Sequence, residues 1–228
     1  MNEKKSLQLS HSRDAVVHLK DFTKRTTTTA NFCRNQSVSA IMELSCSLLL
    51  STIYKSRLVN TVKWVTRQFV HVDRTACPWL IKKFIDPHAE FFFVPTEKVD
   101  EIVRKEQAIP YDTPSAELGH HGGKCSFDAI VEKYGIDDPA VLELAKIVRA
   151  ADLDRMSDVP EAAGLEAIMA GIGIEAKEDY EAVQKASEVY DALYTNCRLK
   201  IARVLNRTEI GKMNRLAQRE FLKKKLNE

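Results

Sequence analysis

Three short stretches carry side chains whose types and spacing could do chemistry. The first is His71-Val72-Asp73, an imidazole and a carboxylate two residues apart. On an extended segment, residues i and i+2 project to one side. The pair would then stand together just past a strand, which is an ordinary way to begin a metal site. The plainer reading is that Asp73 caps a following helix and His71 is half-buried. The second stretch is Gly119-His120-His121-Gly122-Gly123. Glycines let backbone approach a ligand closely, and a histidine in such a loop can reach a metal or an oxyanion. Adjacent side chains diverge, so His120 is taken as the ligand and His121 as a secondary candidate. Glu117 lies within reach as a further carboxylate. The plainer reading is an exposed flexible loop. The third is Asp152, which falls in register with Val141, Ala145 and Val148 on one helical face. A carboxylate on an apolar face needs a metal, an arginine or several N–H donors, because burying it alone is costly. A salt bridge to Arg149 or Arg155 would serve equally. Asp154, off that stripe, is secondary. Asp112 follows a predicted strand, in the same layer as Asp73, and it could instead form a turn with Pro114.

Pooled, these residues put His71, Asp73, Asp112, His120 and Asp152 at the C-terminal edge of one sheet, where parallel α/β folds bind ligands. Mixed imidazole and carboxylate donors suit a divalent transition metal (Mn, Fe or Zn) rather than calcium. Arg67, Arg74, Arg149 and Arg155 bracket the same motifs. A metal flanked by arginines would receive a tetrahedral oxyanion through charge and paired N–H donors. Ordinary pairing with nearby aspartates is the alternative for each arginine.

The elements that must position these groups can be read from periodicity. Lys63–Arg67 reads as a strand. Ala76, Trp79, Leu80 and Phe84 recur at helical spacing, with Thr75 as N-cap and Pro78 in the first turn. Glu90–Val94 is a second strand, Glu97–Glu106 a short helix, and Ala108–Asp112 a third strand. This alternation predicts an α/β fold with a small parallel sheet and flanking helices. From Ser126 onward the pattern is helical: Ser126–Tyr134 with Ser126 as cap, a helix opened by Asp138-Pro139 and running to about 153, another from Pro160 to about 170, and a long amphipathic one over 178–205. Residues 206–228 continue as a basic helical tail. Residues 1–60 lack Gly, Pro and clear periodicity, and are read as a poorly ordered or peripheral extension. The domain proper is placed at 62–205.

Composition narrows the classes. The net charge of +2 is unevenly spread. Residues 1–60 hold nine Lys/Arg and four Asp/Glu, residues 206–228 hold seven and three, and 61–205 hold 18 and 25. The acidic middle disfavours a nucleic-acid surface there. No apolar run approaches the roughly 18 residues of a membrane span; the best stretch, Val38–Ile53, is interrupted by Glu43 and several serines and starts too deep for an ordinary signal peptide. Five cysteines without a CxxC pair read as free thiols in a reducing cytoplasm. Cys77 and Cys125 sit beside two of the motifs; buried packing is the plainer fate of each, a redox role the other.

The ordered series Lys63-Trp-Val-Thr-Arg67, His71-Val-Asp-Arg-Thr-Ala-Cys77, Phe84-Ile-Asp-Pro87, Glu117-Leu-Gly-His120, Gly122-Gly-Lys-Cys125, Ile147-Val-Arg149, Pro160-Glu-Ala-Ala-Gly-Leu165 and Tyr190-Asp-Ala-Leu-Tyr194 resembles the C-terminal domain of the ChrB proteins. The likeness covers about 62–198. It implies a cytoplasmic chromate-resistance protein that binds a metal, chromate or another small oxyanion. Some family members carry an N-terminal regulatory domain and act as chromate-responsive regulators, and others are fused to a rhodanese-like domain. Residues 1–60 resemble neither, so DNA is a partner the sequence permits but does not favour. The order His71/Asp73, Asp112, His120-His121, Asp152 is also similar to the metal layout of DHH-type phosphoesterases, with Thr75 and Gly119 standing where two acidic residues would be. A metal-dependent hydrolase or redox enzyme and a transcriptional regulator therefore stay open as alternatives.

Overall fold

In the computed structural model, which describes residues 61–114, 116–155 and 157–227, the centre of the sheet is β1 (Lys63–Arg67), whose Trp64, Val65 and Thr66 are all fully buried. Burial of consecutive residues on both faces marks a central strand. β1 pairs in parallel with β2 (Glu90–Val94) on one side and with the two-residue β3 (Ile109–Pro110) on the other, giving the order β2-β1-β3. The third strand is shorter than the five residues expected. Pro110 has no N–H to continue a ladder, and Asp112 turns the chain away with a left-handed φ of 47°.

The crossover between β1 and β2 is α1 (Val72–Phe84). Its N-cap is His71 rather than Thr75, so Asp73 lies in the first helical turn and not on extended backbone. Pro78 consequently falls inside the helix rather than in its first turn. Between β2 and β3 a 3-10 turn (Thr96–Lys98) leads into α2 (Val99–Glu106). Four helices then follow the sheet: α3 (Ser126–Tyr134), α4 (Pro139–Asp152), α5 (Pro160–Glu175) and α6 (Asp179–Leu205). Cys125, not Ser126, occupies the N-cap of α3, and α5 runs five residues beyond its expected end. Asp138 caps α4 as expected: its Oδ1 accepts from the amides of Ala140 (2.7 Å) and Val141 (3.1 Å), while Oδ2 accepts from the Tyr194 hydroxyl of α6. A cap of this kind contributes about 1 kcal/mol.

One core cluster joins Trp64 and Phe91 of the sheet, Trp79, Leu80 and Ile81 of α1, Phe127 and Ile130 of α3, Leu144 and Val148 of α4, Leu165 of α5 and Tyr190 of α6. The chain ends in α7 (Arg207–Ile210) and α8 (Arg215–Asn227), the latter packed on α6 through buried Leu222. Among the described residues no helix is long and apolar enough to cross a membrane. The readings of residues 1–60, Val38–Ile53 included, lie outside the described residues.

Candidate functional site

Four elements deliver one charged group each to the C-terminal edge of the sheet. Asp73 comes from the first turn of α1, Asp112 from just after β3, His120 from the glycine-containing loop before α3, and Asp152 from the last residue of α4. His120 Nε2 stands 3.3 Å from Asp73 Oδ2, 3.3 Å from Asp112 Oδ1 and 3.2 Å from Asp152 Oδ2. Donor atoms of Asp73, Asp112 and His120 all lie within 4.8 Å of one another.

The carboxylates are held by different means. Asp73 is 1% exposed, and both its oxygens accept backbone amides at the start of α3: Oδ2 from Ser126 (2.8 Å) and Oδ1 from Phe127 (2.9 Å). Those amides are donors with no partner inside their own helix, and the helix dipole there favours a negative charge. Asp112 is gripped by two arginines. Arg67 reaches its carboxylate at 3.2 and 3.3 Å and its carbonyl at 2.9 Å, while Arg74 reaches Oδ2 at 3.0 Å. Arg74 also donates to the Phe69 carbonyl. Asp152 differs: its Oδ2 is buried and accepts no hydrogen bond from any described residue, although His120 faces it.

The charges shift one another. Asp73, with Asp152 and Asp112 adding and partial burial opposing, holds His120 up to about 9. Burial, reinforced by Asp73 and Asp112 and opposed by His120, pushes Asp152 up to about 7. Asp112 is raised by burial and by Asp73, against the pull of its two arginines and His120. For Asp73, burial acts upward, but His120 and the amides of Phe127 and Ser126 outweigh it and leave the carboxyl below its usual range. Cys77 and Cys125 are buried behind the cluster, and burial raises both thiols, which stay protonated and act as packing.

The other sequence candidates fall elsewhere. His71 does not join the cluster: as the N-cap of α1 it turns away from Asp73, and its nearest charged neighbour is Glu166, at 3.9 Å. The same-side argument failed because helix begins between the two residues. His121 Nε2 is 3.1 Å from the Ala116 carbonyl, Glu117 is exposed and paired with Lys133, and Asp154 is exposed with a left-handed φ of 53°. Arg67 and Arg74 belong to Asp112, and Arg149 belongs to Asp128 at 2.7 Å. Neither Arg149 nor Arg155 pairs with Asp152. Arg155 is exposed, its side chain makes no hydrogen bond or ion pair with a described residue, and its guanidinium lies 3.6 Å from the place a Cβ on Gly123 would take. Gly119 sits tightly, since a Cβ there would meet the carbonyls of Ala116 and Thr113 at 3.0 Å and that backbone would have to give.

Sequence reasoning missed the amides of Ser126 and Phe127 and the capture of Arg149 by Asp128. The amides carry no side-chain signature. Asp128 had a visible one, as the acidic residue of a capping box with Cys125.

The geometry can be set beside known proteins. Protein ChrB of Cupriavidus metallidurans is 35% identical over 137 residues, which is 59% of this chain and 40% of that protein. The chain thus spans well under half the length of that relative. No solved structure matches the chain. The family model described as ChrB, C-terminal domain matches residues 64–197, a span that runs from within β1 through most of α6 and contains all four residues of the cluster, and the chain belongs to that family.

Proposed function

We propose that this chain is a chromate-resistance protein whose domain holds a divalent transition metal (Mn, Fe or Zn) on Asp73, Asp112 and His120, with Asp152 as a fourth donor. The observation that carries the reading is His120 Nε2 lying 3.2 to 3.3 Å from three carboxylate oxygens contributed by three different elements. Two donors each about 2.1 Å from a metal stand about 3.0 to 3.4 Å apart, so the spacing fits a shared cation. The imidazole Nε2–H offers one proton to three acceptors, and Asp152 Oδ2 is the acceptor left over. The donor set, one imidazole and three carboxylates, suits such metals.

The carboxylate supports are those a working centre needs. Arg67 and Arg74 orient Asp112, and the α3 amides orient Asp73; outer contacts of this kind fix ligand geometry. The His120 side chain is 39% exposed, so one side of the cluster is open to solvent. Chromate or another small oxyanion reaching that side would meet the metal and Arg155, the one arginine of the four without a carboxylate partner among the described residues. The setting we assign is the cytoplasm.

Two measurements on the full chain test this together. Purified protein equilibrated with Mn, Fe or Zn salts is expected to retain close to one ion per chain after gel filtration. His120→Ala should lose it and His71→Ala should keep it. In cells, His120→Ala should lower chromate tolerance while His71→Ala leaves it unchanged. Metal retained equally by wild type and His120→Ala, or by neither, would sink the reading.

A further inference from the structure

The charges at the other end of the molecule behave differently. Over 198–228 the chain holds ten Lys/Arg against three Asp/Glu, whereas 61–197 holds 15 against 25. The basic stretch begins where the family match ends. It is folded rather than trailing: α8 lies along the C-terminal half of α6, with Leu222 5% exposed between them.

Between these helices runs a groove of about 490 Å³ lined by Leu199, Arg203, Arg215, Arg219, Leu222 and Lys223, among others. Arg215, Arg219 and Lys223 follow one another at i, i+4 and i+8, so they form a single row along α8, one turn apart. Arg203 faces them from α6. The side chains of Arg203, Arg215 and Arg219 make no hydrogen bond or ion pair with any described residue, nor do those of Arg207 and Lys212 beside them; Lys223 meets Glu220 of its own helix at 3.6 Å. Most lysines of the domain contrast with this: Lys63, Lys83, Lys124, Lys133, Lys146 and Lys185 each have a carboxylate partner.

We propose that this groove binds the phosphate backbone of a nucleic acid. Guanidinium groups carry a planar fork of donors that matches phosphate bidentately, and a row of them on a regular scaffold suits a polyanion with evenly spaced charges. A membrane surface fits less well. An interfacial helix needs an apolar face to bury, but Leu222 of α8 is already buried against α6, and Leu216 is its one large apolar side chain that is exposed. The contact carries no base readout, so binding is sequence-independent. The inference stands on the charges of this end alone and does not depend on metal binding at the His/Asp cluster.

The test uses the full chain, a labelled DNA duplex of random sequence and vesicles containing phosphatidylserine. Four phosphate contacts give a slope of about −3.6 in log affinity against log salt, so affinity should fall about 100-fold between 50 and 200 mM salt. Arg203→Gln/Arg215→Gln/Arg219→Gln should abolish most of the binding, and Arg219→Gln alone should lower the slope by about 1. Lys133→Gln/Lys146→Gln, which removes the same kind of charge from paired positions, should leave binding unchanged. Circular dichroism of the triple variant, expected to match wild type, separates lost contacts from lost fold. The proposal is overturned by an absence of binding at 50 mM salt, by equal losses in the triple and control variants, by a triple variant that binds as wild type does, or by tighter binding to the vesicles than to the duplex.

Discussion

The His/Asp cluster and the α6–α8 end are both dense in charge, and they manage it in opposite ways. At the cluster Asp73 is committed to two amides and His120, and Asp112 to two arginines and His120, while Asp152 has His120 alone facing it. These groups are mostly buried, and taking charges out of water is tolerable only when each is matched. At the basic end the guanidinium groups of Arg203, Arg215 and Arg219 are exposed and unmatched by any described residue, which water permits at little cost. Removing a charge should therefore disturb the fold at the first region and leave it intact at the second.

The largest effect is expected for Asp73→Ala. It removes the acceptor of two buried amides and one of the three counter-charges of His120, and should cost about 3 kcal/mol or more in urea unfolding. A loss under about 1 kcal/mol would mean the amides find other acceptors and the region is less tightly specified than its geometry suggests. Next is Gly119→Ala, where the new Cβ meets two backbone carbonyls at 3.0 Å; overpacking of this kind costs about 1 to 3 kcal/mol. The third outcome concerns pH in the metal-free protein. His120 is raised from 6.5 to about 9, so its contribution to stability is fully present below about 6.5 and is lost as pH rises through 9. Thermal midpoints should fall across that window in wild type and stay flatter in His120→Gln; parallel curves would remove His120 from the account. The smallest effect belongs to Arg219→Gln, which should change stability by no more than about 0.5 kcal/mol in either direction. A larger loss would show that the basic end contributes to the fold after all.

Much of this architecture was legible in the sequence, and where it was not the reasons are local. The sheet order of alternation, the Asp138-Pro139 start of α4 and the long α6 follow from periodicity and capping residues. Asp152 was legible because three apolar neighbours placed it on an interior face, and Val141, Ala145 and Val148 are indeed buried. His71 misled because the spacing rule for strands was applied across a helix start, which occurs one residue later. The arginines misled because proximity in sequence does not say which aspartate wins: Arg149 lies three residues from Asp152 yet pairs with Asp128. Long-range backbone contacts, such as Phe127 to Asp73 across 54 positions, leave no trace in residue types.

That last contact bears on how freely the sequence can drift. Asp73 is held by main-chain N–H groups, so at this contact positions 126 and 127 are constrained in where their backbone lies rather than in what side chain they bear. Nineteen of the twenty residue types carry the needed donor, and proline alone lacks it. Substitution at these two buried positions is thus filtered by volume and by the exclusion of proline, while Asp73 itself tolerates no acceptor-less replacement. Related chains can be expected to vary in the residues that build the start of α3 and still keep the carboxylate it anchors.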